Sequence, residues 1–140
     1  MKMKLKVKLD DGAFMPLKAH ESDAGYDIMT PVDFDLRKKA EIDTGVHIMI
    51  PNGYVGMLKA KSGLNVNFDI VGEGVIDAGY TGSIKVKLYD LDYCSMPHHF
   101  DRGDKIIQIV IIPVPDTETE LVDELEETER GDNGFGSTGK

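Results

Sequence analysis

From Ile84 to Leu88 the chain alternates without exception, with Ile84, Val86 and Leu88 on one side and Lys85 and Lys87 on the other. A period of two puts successive side chains on opposite faces of an extended backbone, so these residues specify a strand with one buried face. The same period opens the chain, where Met3, Leu5, Val7 and Leu9 interleave with Lys2, Lys4, Lys6 and Lys8 before the turn Asp10-Asp11-Gly12. Those lysines make a solvated face that also guards a sheet edge. Further short apolar segments follow: Phe34 and Leu36, Ile42, Val46 to Ile50, Tyr54 to Lys61, and Ile106 to Val114. Turn formers separate them, most clearly Pro51-Asn52-Gly53 and Arg102-Gly103-Asp104. No amphipathic helical stretch of ordinary length stands out. Short alternating strands cut by Gly and Pro specify an all-β barrel or sandwich.

At 140 residues the chain suits one domain with its own core. A net charge of −9 argues against a duplex nucleic-acid partner, which calls for a basic face. It leaves room for a small anion held by local cations, or for a divalent metal. The lone Cys94 cannot form an internal disulfide, the lysine-rich start is no signal peptide, and no run approaches the ~20 apolar residues of a membrane helix. A cytoplasmic protein with no membrane partner is expected. Asp116 to Glu129 is acidic and reads as a solvated edge segment, and the glycine-rich end from Arg130 to Lys140 as a tail that stays mobile unless something binds it.

Chemistry concentrates in Val71 to Leu88. Gly72-Glu73-Gly74 leads to Asp77 and then to the turn Asp77-Ala78-Gly79-Tyr80-Thr81-Gly82. This reads as a β-hairpin holding an acid and an aromatic at its bend, where glycines let a small ligand lie against the backbone. An ordinary glycine-rich turn is the plain alternative. Gly134 to Lys140 fits G-x-x-x-x-G-K, but no Ser or Thr follows and no helix can begin there, so it is not a P-loop. Its free N–H groups, the hydroxyls of Ser137 and Thr138, and the cations Arg130 and Lys140 still suit a polyphosphate, with Phe135 able to stack on a base. Lys61-Ser62-Gly63 offers a second small phosphate clamp. Cys94 with His98-His99 lacks the paired spacing of zinc sites.

Five segments, in order, resemble the signature motifs of the trimeric dUTP pyrophosphatases. They are AGYDI (24–28), KSGL (61–64), GVIDAGYTG (74–82), GDKIIQ (103–108) and RGDNGFGSTG (130–139). The resemblance implies a jelly-roll-like subunit spanning residues 1–129, a flexible C-terminal arm at 130–140 that closes over the active site, and a homotrimer with shared sites. It implies Mg²⁺-dependent hydrolysis of dUTP to dUMP and pyrophosphate, which keeps uracil out of DNA and supplies dUMP for thymidylate synthesis. By similarity Asp77 activates the attacking water, and Tyr80 packs under the sugar. The backbone of the glycine-rich stretch, Gly74 and Ile76 included, reads uracil. Lys61, Ser62, Gly63 and Gln108 fall at phosphate-contacting positions. Arg130, Gly136, Ser137 and Thr138 fall on the arm's phosphate side and Phe135 on the base. Asp27 resembles the carboxylate that holds Mg²⁺ through water.

Two motifs depart from the usual pattern. Ala60-Lys61 stands where Pro-Arg is common, which keeps the charge but loses the bidentate fork. Gly79 and Thr81 stand where Asp and Arg are frequent around the tyrosine. A dCTP deaminase of the same superfamily and a nucleotide-gated interaction protein are the alternative functions.

Overall fold

In the computed structural model, which describes residues 2–92 and 96–139, alternation becomes burial. Strand β9 (Lys85–Asp90) buries Val86, Leu88 and Asp90 and turns Lys85, Lys87 and Tyr89 outward. Its neighbours are β4 (Lys39–Asp43) and the two-residue β7 (Ile70–Val71), both antiparallel. The opening alternation is only half used. In β1 (Lys6–Leu9), which pairs β5 (Val46–Met49), Val7 is half-buried and Leu9 is exposed. A second two-stranded pair joins β3 (Phe34–Leu36) to β10 (His98–Phe100), with Phe34 stacked on Phe100 at 4.8 Å between ring centroids. His98 and His99 therefore belong to a strand, whereas Cys94 lies outside the described residues.

The largest sheet runs β2-β11-β6-β8, built from β2 (Gly25–Met29), β11 (Lys105–Pro113), β6 (Tyr54–Lys59) and β8 (Glu73–Ile76). Its central strand β11 departs from alternation at Ile106 and Ile107, which are both fully buried. The register against β2 shifts between Lys105 and Ile107, so one extra residue is taken up there as a bulge. That shift sets Gln108 opposite Asp27 on one flank, while Lys59 lies opposite it on the other.

Two expectations fail. The strand expected over Tyr54 to Lys61 stops at Lys59, and an unexpected helix follows, α1 (Ser62–Phe68), whose residues are all at least partly exposed. It carries Ser, Gly and two Asn in seven residues, and its apolar positions Leu64, Val66 and Phe68 fall at a strand-like spacing. Asp69, at φ 54°, closes it in the left-handed conformation. The hairpin is also not formed as such. β8 pairs with β6 and β9 with β4 and β7, so the Asp77–Ile84 segment crosses between two sheets.

One apolar cluster joins the sheets, drawing Ile28 from β2, Leu58 from β6, Ile109 from β11, Val86 and Leu88 from β9, and Phe100 from β10. The fold is all-β and jelly-roll-like, with one short helix among the described residues. No helix of the described residues is long and apolar enough to cross a membrane. Ile109 sits at the centre of this core with no exposed surface. Ile109→Ala should cost about 2–5 kcal/mol in chemical denaturation, the usual penalty for an aliphatic cavity.

Candidate active site

The order β2-β11-β6-β8 brings together segments that the chain keeps far apart. β2 carries Asp27, β11 carries Gln108, β6 leads into Lys61, and β8 carries Gly74 and Ile76 before Asp77. Close packing explains several of the glycines. A Cβ at Gly25 would overlap the Gln108 side-chain amide, and one at Gly74 would stand 2.9 Å from Leu58 Cδ1. Gln108 Nε2 in turn donates to the Ala60 carbonyl oxygen at 3.1 Å, fixing the backbone next to Lys61.

Asp27 is 6% exposed and is held by two cations. Lys61 Nζ bonds Oδ1, and Lys105 Nζ stands 3.2 Å from Oδ2. Two ammonium groups against one carboxylate leave one positive charge over, which suits an approaching polyanion. A carboxylate so buried is tolerated because it is paired. Among the described residues no three His, Cys, Asp or Glu side chains form a metal cage.

Asp77 stands at the mouth of β8. The Tyr80 N–H donates to its carbonyl at 3.2 Å, closing a four-residue turn whose third position, Gly79, has φ 85° as a type II turn requires. Tyr80 is fixed twice. Its hydroxyl donates to the Ser83 carbonyl at 2.9 Å, and its ring lies where a Cβ on Gly82 would be. Asp77, Tyr80 and Ile76 line a cavity of about 260 Å³ with Val75, Ser83 and Lys85. Among the described residues nothing hydrogen-bonds the Asp77 carboxylate, in contrast to Asp27. At the far end of the turn, the Ser83 hydroxyl donates to Asp43. This bond, followed by the Gly45 N–H, holds the Asp43 carboxyl below its usual range.

Ser62 and Gly63 open α1, exposed and next to Lys61. The C-terminal residues are elsewhere. Arg130 Nε donates to the Asn133 carbonyl at 2.8 Å, and the Ser137 N–H to that of Gly134 at 3.1 Å, so these bonds stay within the segment. Phe135 is fully exposed with φ 51°, Gly136 follows at φ 91°, and Thr138 is exposed. One chain thus gathers Asp27, Lys61 and Gln108, and separately Gly74, Ile76, Asp77 and Tyr80, but does not bring the tail to either group.

A family model described as dUTPase matches residues 11–139. The chain belongs to the dUTPase family. The deoxyuridine 5'-triphosphate nucleotidohydrolase of Cutibacterium acnes is 41% identical over 130 residues, which cover 89% of this chain and 85% of that protein. The enzyme of the same name from Corynebacterium glutamicum is 42% identical over 139 residues, covering 96% and 93%. Among solved structures, a mutant dUTPase of Staphylococcus bacteriophage 80alpha with dUpNHpp aligns at a TM-score of 0.87 and 33% identity, covering 99% of this chain and 100% of that one. A mutant dUTPase from phage phi11 of S. aureus, described with a structural Mg(II) ion, aligns at 0.78 and 31%, covering 89% and 100%.

Within this dUTPase fold, sequence reasoning missed Lys105, Ser83 and Lys85. Lys105 lay inside the GDKIIQ segment, and its proximity to Asp27 depends on the bulge. Lys85 read as a plain solvent-facing residue of the alternation. The two-lysine arrangement predicts non-additive stabilities. Lys105→Met should cost about 1 kcal/mol or less, since Lys105 is half exposed, and Lys61→Met about 1–3 kcal/mol. The double variant should exceed their sum in urea unfolding, because only then does the buried carboxylate lose both partners.

Proposed function

We propose that this dUTPase hydrolyses dUTP to dUMP and pyrophosphate with Asp77 as the general base. The observation that carries the reading is the register of the β2-β11-β6-β8 sheet: Asp27, Gln108 and the approach to Lys61 share a row with the Glu73 end of β8, while Asp77 follows its Ile76 end, which suits two parts of sites shared between subunits. Asp77 suits a base because it borders a cavity and no protein group occupies its oxygens among the described residues. It accepts a proton from a water that attacks the α-phosphorus. The bond to the α,β-bridging oxygen breaks, and pyrophosphate leaves.

Recognition of the base follows from the edge of the sheet. β8 ends the strand order, so the backbone groups of Gly74 to Ile76 on its outer side are available to pair with uracil as a neighbouring strand would. Tyr80 lies under the deoxyribose. Its doubly fixed ring cannot retreat to admit a 2′-hydroxyl, which supports selection against UTP. Lys61, Ser62, Gly63 and Gln108 receive the phosphate chain, and Lys105 adds a second cation behind Asp27.

Asp27 would hold Mg²⁺ through water. When bound, the ion neutralises charge on the phosphate oxygens and on the departing pyrophosphate. Residues 130–140 act as an arm over a site on another subunit of a homotrimer, Arg130, Gly136, Ser137 and Thr138 on phosphate and Phe135 on uracil. This reading is supported by the outward-facing Phe135 and by the tail's bonds remaining within itself. The work is placed in the cytoplasm, where it limits dUTP available to DNA synthesis and provides dUMP.

Asp77→Asn should leave binding of a non-hydrolysable dUTP analogue intact and lower kcat by at least ~10²-fold in a pyrophosphate-release assay. Retained turnover would remove Asp77 from its role. Deleting residues 130–140 should cripple turnover without changing the unfolding midpoint. UTP, dTTP and dCTP should release far less pyrophosphate than dUTP, and ammonia released from dCTP would favour the deaminase alternative instead.

A further inference from the structure

His47, on β5, has no part in the reading above, yet it ties together segments remote in sequence. Its Nδ1 stands 2.8 Å from the Thr81 carbonyl oxygen, and its Nε2 stands 3.0 and 3.1 Å from the two carboxylate oxygens of Asp10. Thr81 lies in the turn segment that carries Asp77 and Tyr80, and Asp10 directly follows β1. Asp10 is itself anchored, its N–H donating to the Gly45 carbonyl at 2.9 Å. A backbone carbonyl only accepts, so Nδ1 needs a proton. An ionised carboxylate only accepts, so Nε2 needs one too. Only the imidazolium makes both bonds. A neutral ring turns a lone pair towards oxygen at one of the two positions.

We propose that His47 is a positioning residue for the substrate turn: as an imidazolium it clamps the Thr81 carbonyl to Asp10 and so holds Tyr80 and the mouth of the cavity ready for the deoxynucleotide. This rests on the assignment of that turn to dUTP.

The surroundings set the direction in which the clamp responds to pH. The Thr81 carbonyl raises the His47 pKa most, and the Asp10 carboxylate adds to it. Lys8, directly across the β1–β5 pair, opposes them, and Lys6 borders the same shallow groove. From β4 and β9, Asp43 feels His47 attractively, and Lys85 lies beside Asp43. The net shift is upward from the ordinary value of 6.5. A raised folded value means the clamp is complete below about pH 6.5 and is lost as pH rises through the higher folded value.

The test is calorimetric titration of the intact protein with an α,β-imido analogue of dUTP and Mg²⁺ at about pH 6 and about pH 8.5, a range that spans imidazole titration. The nucleotide's own phosphate protonation cancels in the ratio of variant to wild type. His47→Gln should bind about three- to tenfold more weakly at the lower pH and match wild type at the higher one, as expected for one lost charge-assisted hydrogen bond. Steady-state turnover should show the loss in KM, with kcat near wild type. Asp10→Asn, which leaves the ring in place, should lower the NMR titration midpoint of His47 and flatten the same pH profile. By reciprocity, the analogue should raise that midpoint in the wild type. Parallel wild-type and variant profiles, or a His47 midpoint that the analogue does not move, overturn the proposal and leave His47 a structural residue. Failure of the wild type to bind the analogue at any pH would instead overturn the assignment of the site.

Discussion

Everything at the site depends on the pairing of β11 with two partners at once. Its antiparallel ladders to β2 and β6 set Asp27, Gln108 and Lys59 in one row across three strands. The bulge before Ile107 decides which side chain takes that position. Since the side-chain period is two, a slip of one residue would send Gln108 into the core and an isoleucine to the face that carries Asp27 and Lys59. Ile109 and one of the pair Ile106 and Ile107 oppose that slip, because they are fully buried and would leave the core. Hydrophobic burial thereby fixes polar geometry at a distance.

Two carboxylates, Asp27 and Asp77, differ in what surrounds them. Asp27 is enclosed and neutralised by Lys61 and Lys105, so it organises cations. Asp77 stands on a turn, exposed to a cavity and free of protein partners among the described residues. The chain separates these environments by putting one carboxylate on β2, where Leu17 bridges it from outside, and the other just past the end of β8 at the opposite edge of the same sheet. His47 on β5 and the bond from Ser83 to Asp43 on β4 then brace the segment just after Tyr80 from two further sheets.

Much of this was legible in the residues. Alternation at Ile84 to Leu88 specified both strand and face, and the glycines of GVIDAGYTG marked a stretch where something can lie close against the backbone. What could not be read depended on contacts between distant segments. Helix α1 has no buried residue and weak helix formers, so its periodicity carries no signal. The sheet change between β8 and β9 follows from which strands lie beside them, and their own residues suit a hairpin equally well. Lys105 reaches Asp27 only through the bulge, and His47 is one polar residue in an apolar run whose partners, Asp10 and Thr81, are 37 and 34 residues away.

The crossing between β8 and β9 carries one more consequence. By not folding back on its neighbour, the chain leaves a row of backbone donors and acceptors exposed along β8, and such an edge can recruit another polypeptide in crowded solution. The strand is built to discourage this. It has four residues, an exposed Glu73 at one end and the Asp77 turn at the other, with Gly74 between them contributing no side chain to a zipper. A short, acidic, interrupted edge matches a flat molecule of one ring far better than an incoming strand, so the features that admit a small ligand also keep the protein from aggregating.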